Sequence, residues 1–159
     1  MQVFSNWLKQ LLNPKTSQMK KNRIFIAVLS ALVMLFITSC TKDLRQKIYT
    51  MSTYGSQGIT GTVTFNEEKD NKSTITINAN GLVSGKTYPM HIHNGPVTAP
   101  GAVYIDLGTI NATGTSATQE LNVTNSFDAL TGFNGCFVMH NPDTFSTYVL
   151  VGNVGSNAQ

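Results

Sequence analysis

The stretch that decides the fold is ITGTVTFNEEKDNKSTITINANGL, residues 59–82. On both sides of a polar segment at residues 69–72, apolar or β-branched side chains alternate with polar ones. This alternation is typical of a strand with one buried face. Two alternating runs joined by a short polar turn predict a β-hairpin. We therefore expect paired strands at residues 58–67 and 73–79.

The same pattern of short strands continues along the chain. β-Branched and aromatic residues recur in short runs, which Gly, Asn, Asp and Pro interrupt at intervals typical of an all-β sandwich or barrel. Six further strands are predicted, at residues 47–54, 87–93, 102–107, 116–124, 135–140 and 148–151. One helical turn is predicted in SFDALTGF, residues 126–133, where Ser126 can cap a turn that ends before Gly132.

The N-terminal quarter of the chain predicts a targeting segment. Basic residues at 20–23 precede an apolar run of 14 residues, 24–37, which is interrupted only by Ser30. The run is shorter than the roughly 18 residues that span a membrane, and it has the length of the apolar region of a signal peptide. We expect a signal peptide over residues 1–39 with Met19 as the initiator. The alternative for residues 1–18 is a genuine amphipathic helix.

The small-residue segment ITSC, residues 37–40, resembles the lipobox of bacterial lipoproteins, in which the cysteine is lipidated after cleavage. The resemblance implies a lipid anchor on Cys40. The polar run CTKDLRQ, residues 40–46, predicts a short tether, and the strand pattern beyond it predicts a β domain over residues 47–159. It also implies attachment to a membrane of the cell envelope, with the domain periplasmic or facing the surface. Two alternatives stay open: a plain secretory signal with an incidental cysteine, and an uncleaved anchor helix.

The net charge changes sign once the leader is set aside. The whole chain carries eleven Lys and Arg against eight Asp and Glu, but five of the basic residues and none of the acidic ones lie in residues 1–39. The remaining six basic and eight acidic residues give −2. A nucleic-acid partner therefore loses its support from composition. The sequence names no protein partner.

Three histidines form the candidate site. His91 and His93 lie two residues apart in a predicted strand, so their side chains share a face. His140 ends another predicted strand, and if that strand is a neighbour, three imidazoles meet. Such a set suits copper or zinc and suits calcium or magnesium poorly. Among the nearby sulfur-bearing residues, Met90 and Met139 should face the core, and Cys136 should be a small buried filler.

Several segments resemble copper/zinc superoxide dismutases, which are Greek-key β-sandwiches. They are GITGTVTF, ITINANGLVSGKTYPMHIH, DLGTINATG, VMHNPD and GNVGS, in the same order as in that family. The chain is also similar to bacterial CHRD-domain lipoproteins, which have an HIH followed by a Gly/Pro loop and a later FDGYINVH motif close to FNGCFVMH here, residues 133–140. The CHRD resemblance is the closer one in length and in its short loops.

The resemblance to the dismutases implies roles for individual residues. His91 and His93 match a pair of copper ligands, and His140 matches the downstream copper histidine. Asp106 matches the zinc aspartate, although a hydrogen bond to a ligand or a turn is its expected role here. The bridging copper histidine and the zinc histidines have no counterpart, so zinc at a dismutase-type second site is not expected. Asn157 stands where the dismutases have the arginine that attracts superoxide.

Three hypotheses about function follow. The first is a lipid-anchored CHRD-type domain that binds copper through three histidines without turnover. The second is a minimal copper-only superoxide dismutase, against which the missing fourth histidine and Asn157 count. The third is a structural or adhesive envelope module with no metal, against which the retention of all three histidines counts.

Overall fold

The computed structural model describes residues 43–158, which form an all-β domain. The predicted signal peptide, the lipidation candidate Cys40 and the first three residues of the tether, 40–42, lie outside the described residues. The strands are β1 Gln46–Thr53, β2 Thr60–Glu67, β3 Ser73–Asn80, β4 Thr87–Asn94, β5 Val103–Asn111, β6 Ser116–Val123, β7 Asn134–His140 and β8 Tyr148–Gly155, with one helix, α1 Phe127–Gly132, between β6 and β7. Within residues 43–158, no helix is long and apolar enough to cross a membrane.

The strands pair in the order β5-β4-β7-β8-β1-β2-β3-β6, and every pairing is antiparallel. Strands β1, β2, β3 and β6 form one layer, and β5, β4, β7 and β8 form the other. The layers are joined where Ser52 and Thr53 of β1 pair with Val151 and Leu150 of β8. The chain crosses over through α1 so that β7 lies beside β4, which gives the Greek-key order. The predicted Greek-key β-sandwich is confirmed.

The β2–β3 hairpin has the register that the alternation predicts. Its pairs run from Thr60 opposite Asn80 to Glu67 opposite Ser73. The polar turn is a short 3-10 segment, Lys69–Asn71, in which Asp70 and Asn71 both adopt φ of 59°. Asp and Asn tolerate this left-handed conformation better than other residues with a Cβ. The conformation of the turn therefore follows from the residue types at positions 70 and 71.

A hydrophobic core fills the space between the two layers. Side chains of β4 contribute Tyr88, Met90 and Ile92, and β7 contributes Phe137 and Met139, all at most 1% exposed. Met90 and Met139 thus pack in the core as predicted. Burial of these side chains drives the folding, since each large apolar side chain contributes roughly 1.5–3 kcal/mol.

Two strands run further than the sequence indicates. β5 was expected to end at Leu107 but continues to Asn111, and β8 continues past residue 151 to Gly155. In β5 the chain passes through Gly108 as a β-bulge: Pro89 pairs with Thr109 and His91 pairs with Asp106, so two residues of β5 stand opposite Met90. Gly108 has φ of 70°, which only glycine adopts readily. The bulge places Asp106 directly across from His91.

The predicted helical turn is confirmed as α1. The Ser126 side chain accepts a hydrogen bond from the Ala129 amide at 3.1 Å, the expected N-cap contact. Phe127 and Leu130 are buried against the sandwich. The helix closes the end of the domain as the chain returns to β7.

Candidate metal centre

The pleat of β4 turns two histidines away from the core. Tyr88, Met90 and Ile92 are buried inside, whereas His91 and His93 on the opposite face are partly exposed. On the neighbouring strand, Val138 pairs with His91 and Cys136 pairs with His93. Both are fully buried, although neither belongs to the central core. The outer face of β4 and β7 is therefore a second, smaller packed region.

His140 joins the pair from the end of β7. His140 Nε2 lies 3.1 Å from His91 Nδ1 of β4, and the residue is 6% exposed. Each of the three histidines then offers one nitrogen, and these atoms all lie within 4.8 Å of one another. The structure thus brings together the three histidines that the sequence singled out. Among residues 43–158 they are the one such group of three or more ligand-type side chains.

Backbone carbonyls fix the tautomers of two of the rings. His93 Nδ1 lies 2.8 Å from the Gly101 carbonyl oxygen, and His140 Nδ1 lies 2.5 Å from that of Phe145. A carbonyl oxygen only accepts, so each Nδ1 carries the hydrogen and donates it. The Nε2 atom of each ring is therefore unprotonated and presents a lone pair. Histidines that bind metals commonly have this arrangement, because the outer hydrogen bond orients the ring.

His91 is turned the other way round. Its Nδ1 lies 3.1 Å from His140 Nε2, and its Nε2 lies 3.7 Å from Asp106 Oδ1. Because His140 keeps its hydrogen on Nδ1, His91 Nδ1 is the donor between the two rings. An ion held by both rings would replace this hydrogen bond and move the His91 proton to Nε2, the atom that faces the carboxylate. The nitrogens that such an ion would use are therefore His91 Nδ1, His93 Nε2 and His140 Nε2.

The residues present fit a metal ion. His93 Nε2 is buried and has no hydrogen-bond partner. A buried polar atom without a partner costs about 1–3 kcal/mol, so native proteins rarely keep one without a reason. Here the lone pair faces two other imidazoles, and an ion on the three nitrogens would satisfy it.

Burial keeps the site in the form that ligation needs. Desolvation lowers the pKa of His91, and the neighbouring His140 and His93 lower it further, against the opposite effect of Asp106. Desolvation also lowers the pKa of His140, while the hydrogen bond to Phe145 opposes this change. Both rings are therefore neutral at pH 7, and a neutral imidazole is the ligating form.

Asp106 lies beside the cluster rather than within it. Its side chain is 74% exposed, and Oδ1 also accepts a hydrogen bond of 2.8 Å from the Gly108 amide. The carboxylate thus stabilises the bulge and faces His91 at the same time. Cys136 is a free, buried thiol, and burial raises its pKa. Its sulfur is not among the converging atoms.

The carbonyl that holds His93 belongs to a well-fixed loop. Between β4 and β5, the Gly101 amide donates to Asn94 O at 2.6 Å, and the Val97 amide donates to Asn153 Oδ1 at 2.8 Å. A Cβ on Gly101 would meet Asn94 O at 3.0 Å, so this close approach favours glycine. The sequence analysis noted this Gly/Pro loop only as a feature shared with CHRD-domain lipoproteins. Its part in orienting His93 was missed.

Aromatic rings surround His140, and the sequence analysis missed these as well. The Phe145 ring stacks on the His140 imidazole with 4.3 Å between centroids and 2° between planes, and Tyr148 packs edge-on at 5.2 Å. Phe145 follows the NPD turn without any pattern of its own. For these two rings, the only signal in the sequence was that Tyr148 begins a predicted strand.

Comparison with known proteins supports the fold. No protein-family model and no curated protein matches the chain. Among solved structures, superoxide dismutase 5 of Candida albicans with Cu(II) is 19% identical, with a TM-score of 0.50, and the match covers 68% of this chain and 89% of that chain. A mutant of the same enzyme is 20% identical with the same TM-score over 69% and 90%. The domain has a superoxide dismutase-like fold.

Two of the described cationic side chains form ion pairs with carboxylates. Arg45, the single arginine of residues 43–158, pairs with Glu67 at 2.8 Å and Asp128 at 2.7 Å. Lys86 pairs with Asp143 at 2.6 Å. Asn157, which the sequence analysis matched to the dismutase arginine, donates its side-chain amide to Asn134 Oδ1.

Proposed function

We propose that this chain is a lipid-anchored protein of the cell envelope whose CHRD-type domain binds one copper ion through His91, His93 and His140 without turnover. The observation that carries the copper site is the arrangement of the three rings. Each has its outer nitrogen next to a fixed acceptor, and its inner nitrogen is aimed at a common place. Scattered surface histidines have no reason to share that arrangement.

Copper is the ion that the donor set favours. Three neutral imidazole nitrogens suit copper and zinc, and a given nitrogen site binds Cu(II) more tightly than Zn(II). The fold agrees, because the similar Candida albicans structure is a superoxide dismutase with Cu(II). The set lacks thiolate and carboxylate ligands, so its charge stays neutral before the ion binds.

The absence of turnover is proposed from electrostatics. Electrostatic steering of a charged substrate raises its rate of encounter by 10 to 10³-fold, and a neutral amide such as Asn157 cannot supply the charge. Arg45 is held in its own ion pairs, and Asp106 adds negative charge beside the site. A superoxide dismutase remains the second candidate, since the fold is that of such enzymes.

The envelope location and the CHRD assignment are supported by the sequence. The apolar run and the ITSC segment support lipidation of Cys40, and β1 begins only six residues later. The HIH at residues 91–93 and the segment at residues 133–140 support the CHRD-type domain. Both strands that carry these motifs lie side by side in the structure and bear the candidate ligands.

A copper titration of the purified full chain tests the binding site. We expect about one Cu(II) per chain, and His140→Ala should weaken binding at least about 100-fold, because one of three ligands is lost. Thr118→Ala, at an exposed position of β6 in the other layer, is the control and should bind copper as the parent does. If His140→Ala binds copper as the parent does, the convergent site is refuted and the structural-module hypothesis gains.

A superoxide assay on the copper-loaded chain separates binding from catalysis. The proposal expects no turnover above that of the same amount of free copper. Turnover well above this control would establish the dismutase alternative and would show that three histidines suffice without an arginine.

Lipid labelling in cells tests the anchor separately. Cys40→Ser should abolish labelling and release the protein from the membrane fraction, because the acylated thiol is gone. Cys136→Ser is the matched control, since that thiol is buried and should not be acylated. Retention of the Cys40→Ser chain in the membrane would instead favour an uncleaved anchor helix.

A further inference from the structure

Of the three histidines, His140 receives the least support from the sheet backbone. His91 and His93 lie within β4, where two neighbouring strands fix the backbone. His140 is the last residue of β7; it pairs with Tyr148 of β8 but has no partner on β4, so the sheet holds its backbone on one side only. Whatever holds this imidazole decides whether the three nitrogens meet.

Phe145 contacts His140 in two independent ways. Its carbonyl oxygen accepts the Nδ1 hydrogen at 2.5 Å, and its ring lies parallel to the imidazole with 4.3 Å between centroids. The first contact fixes the tautomer and the second fixes the plane of the ring. Rotation about the last side-chain bond of His140 would break both.

The loop that presents Phe145 is ordered by its own hydrogen bonds. Asn141 Oδ1 accepts from the amides of Asp143 at 2.8 Å and Thr144 at 3.3 Å, which is an Asx turn. The Thr147 amide donates to the Thr144 carbonyl, and the Asn141 amide donates to the Thr147 carbonyl. These contacts lie before and after Phe145 and hold its backbone in place.

Core packing does not explain the Phe145 ring. The residue is 58% exposed and is not part of the hydrophobic core. An exposed phenyl group gains little stability from burial. The main described contacts of the Phe145 ring are its stacking on His140 and its edge-on approach to the His91 ring, with 6.1 Å between centroids. A single exposed apolar residue is ordinary, but this one lies against a candidate ligand.

We propose that Phe145 is a positioning residue of the histidine site, holding His140 in the plane and tautomer that aim Nε2 at the other two ligand atoms. The proposal rests on the function proposed above, because the orientation of His140 affects metal affinity only if the three histidines bind an ion. The contacts themselves exist without an ion. Partners of metal-binding histidines typically contribute 10 to 100-fold in affinity, which sets the expected scale.

The test begins with the metal-free full chain. Imidazole ¹⁵N NMR at a fixed pH of 7.5 reports the tautomer of each histidine. The parent should show the Nδ1–H form at His140, and Phe145→Ala should give a mixture, because the loop carbonyl loses its stacked anchor. Phe145→Tyr keeps a ring and should keep the single tautomer. The control Ile48→Ala removes a different exposed apolar side chain, on β1, and should leave the tautomer of His140 unchanged.

The second measurement is Cu(II) binding by the same variants. Phe145→Ala should bind about tenfold more weakly than the parent and give a different electron paramagnetic resonance spectrum, with an unchanged melting temperature for the metal-free protein. Unaltered tautomer and spectrum in Phe145→Ala would overturn the proposal. If the parent binds no copper, the proposed function fails, and the NMR result still decides the role of Phe145.

Discussion

The two faces of β4 follow one pleat but are buried by different means. Inward, Tyr88, Met90 and Ile92 meet other apolar side chains from both layers of the sandwich. Outward, His93 Nδ1 lies beside the Gly101 carbonyl of the β4–β5 loop, and His91 faces the Asp106 carboxylate of β5. The inner face needs only apolar volume, whereas the outer face needs particular polar atoms at particular places. Stability should therefore depend on the first face and metal affinity on the second.

The largest expected effect comes from breaking the inner face. Phe137→Ala on β7 removes a fully buried ring, and the lost contacts and the resulting cavity should reduce the free energy of unfolding by about 3–5 kcal/mol. Urea denaturation of the full chain measures this. His91→Ala, on the outer face of the paired strand, should cost far less. Equal losses for the two variants would show that the histidine face is also part of the stabilising core.

A smaller effect separates the faces by pH. Burial lowers the pKa of His91 and His140 below the value of about 6.5 expected in the unfolded chain. Between the two values the unfolded chain binds more protons, so stability increases with pH there. The metal-free protein should lose stability as the pH falls through about 6.5, and copper affinity should fall over the same window.

Melting temperatures from pH 7.5 to 5.5, without metal and with excess EDTA, measure the first part of this prediction. Changing both His91 and His140 to Gln should flatten the profile, because the titrating groups are removed. The core face has no histidine, so a profile that keeps its slope in the double variant would assign the effect to groups elsewhere.

The contrast between the two faces also explains which features of the fold and the site could be predicted from the sequence. The β2–β3 hairpin, the Ser126 cap and the inward Met90 and Met139 were predictable because alternation and capping act over a few residues. The meeting of His140 with the other two could be stated only as a condition, since it depends on β7 pairing with β4.

The backbone partners of the rings could not be predicted, whereas Asp106 was expected to contact a ligand or a turn. The carbonyls of Gly101 and Phe145 are backbone atoms, which every residue has, and only the loop conformations bring them to Nδ1. The bulge that places Asp106 opposite His91 left one trace, a glycine at position 108. The sequence analysis took that glycine as the end of a strand.

The smallest effect, and the sharpest test of the outer face, concerns the charge of Asp106. Asp106→Asn keeps an oxygen that can accept the Gly108 amide, so the bulge should persist, but it removes the negative charge 3.7 Å from His91 Nε2. When an ion takes His91 Nδ1, the proton on Nε2 is stabilised by that charge. Because Asp106 is 74% exposed, solvent screens the interaction, and copper affinity should fall by about tenfold or less.

Asp143→Asn is the matched control for this change. It also removes one exposed negative charge, but Asp143 pairs with Lys86 and contacts no histidine. Its copper affinity should stay within about twofold of the parent. Equal losses in both variants would mean that the net charge of the domain, rather than a specific partner of His91, sets the affinity. A loss of copper affinity confined to Asp106→Asn would show that the carboxylate acts on His91, the ring it faces. It would also show that specific polar contacts organise the outer face, whereas apolar packing organises the inner face.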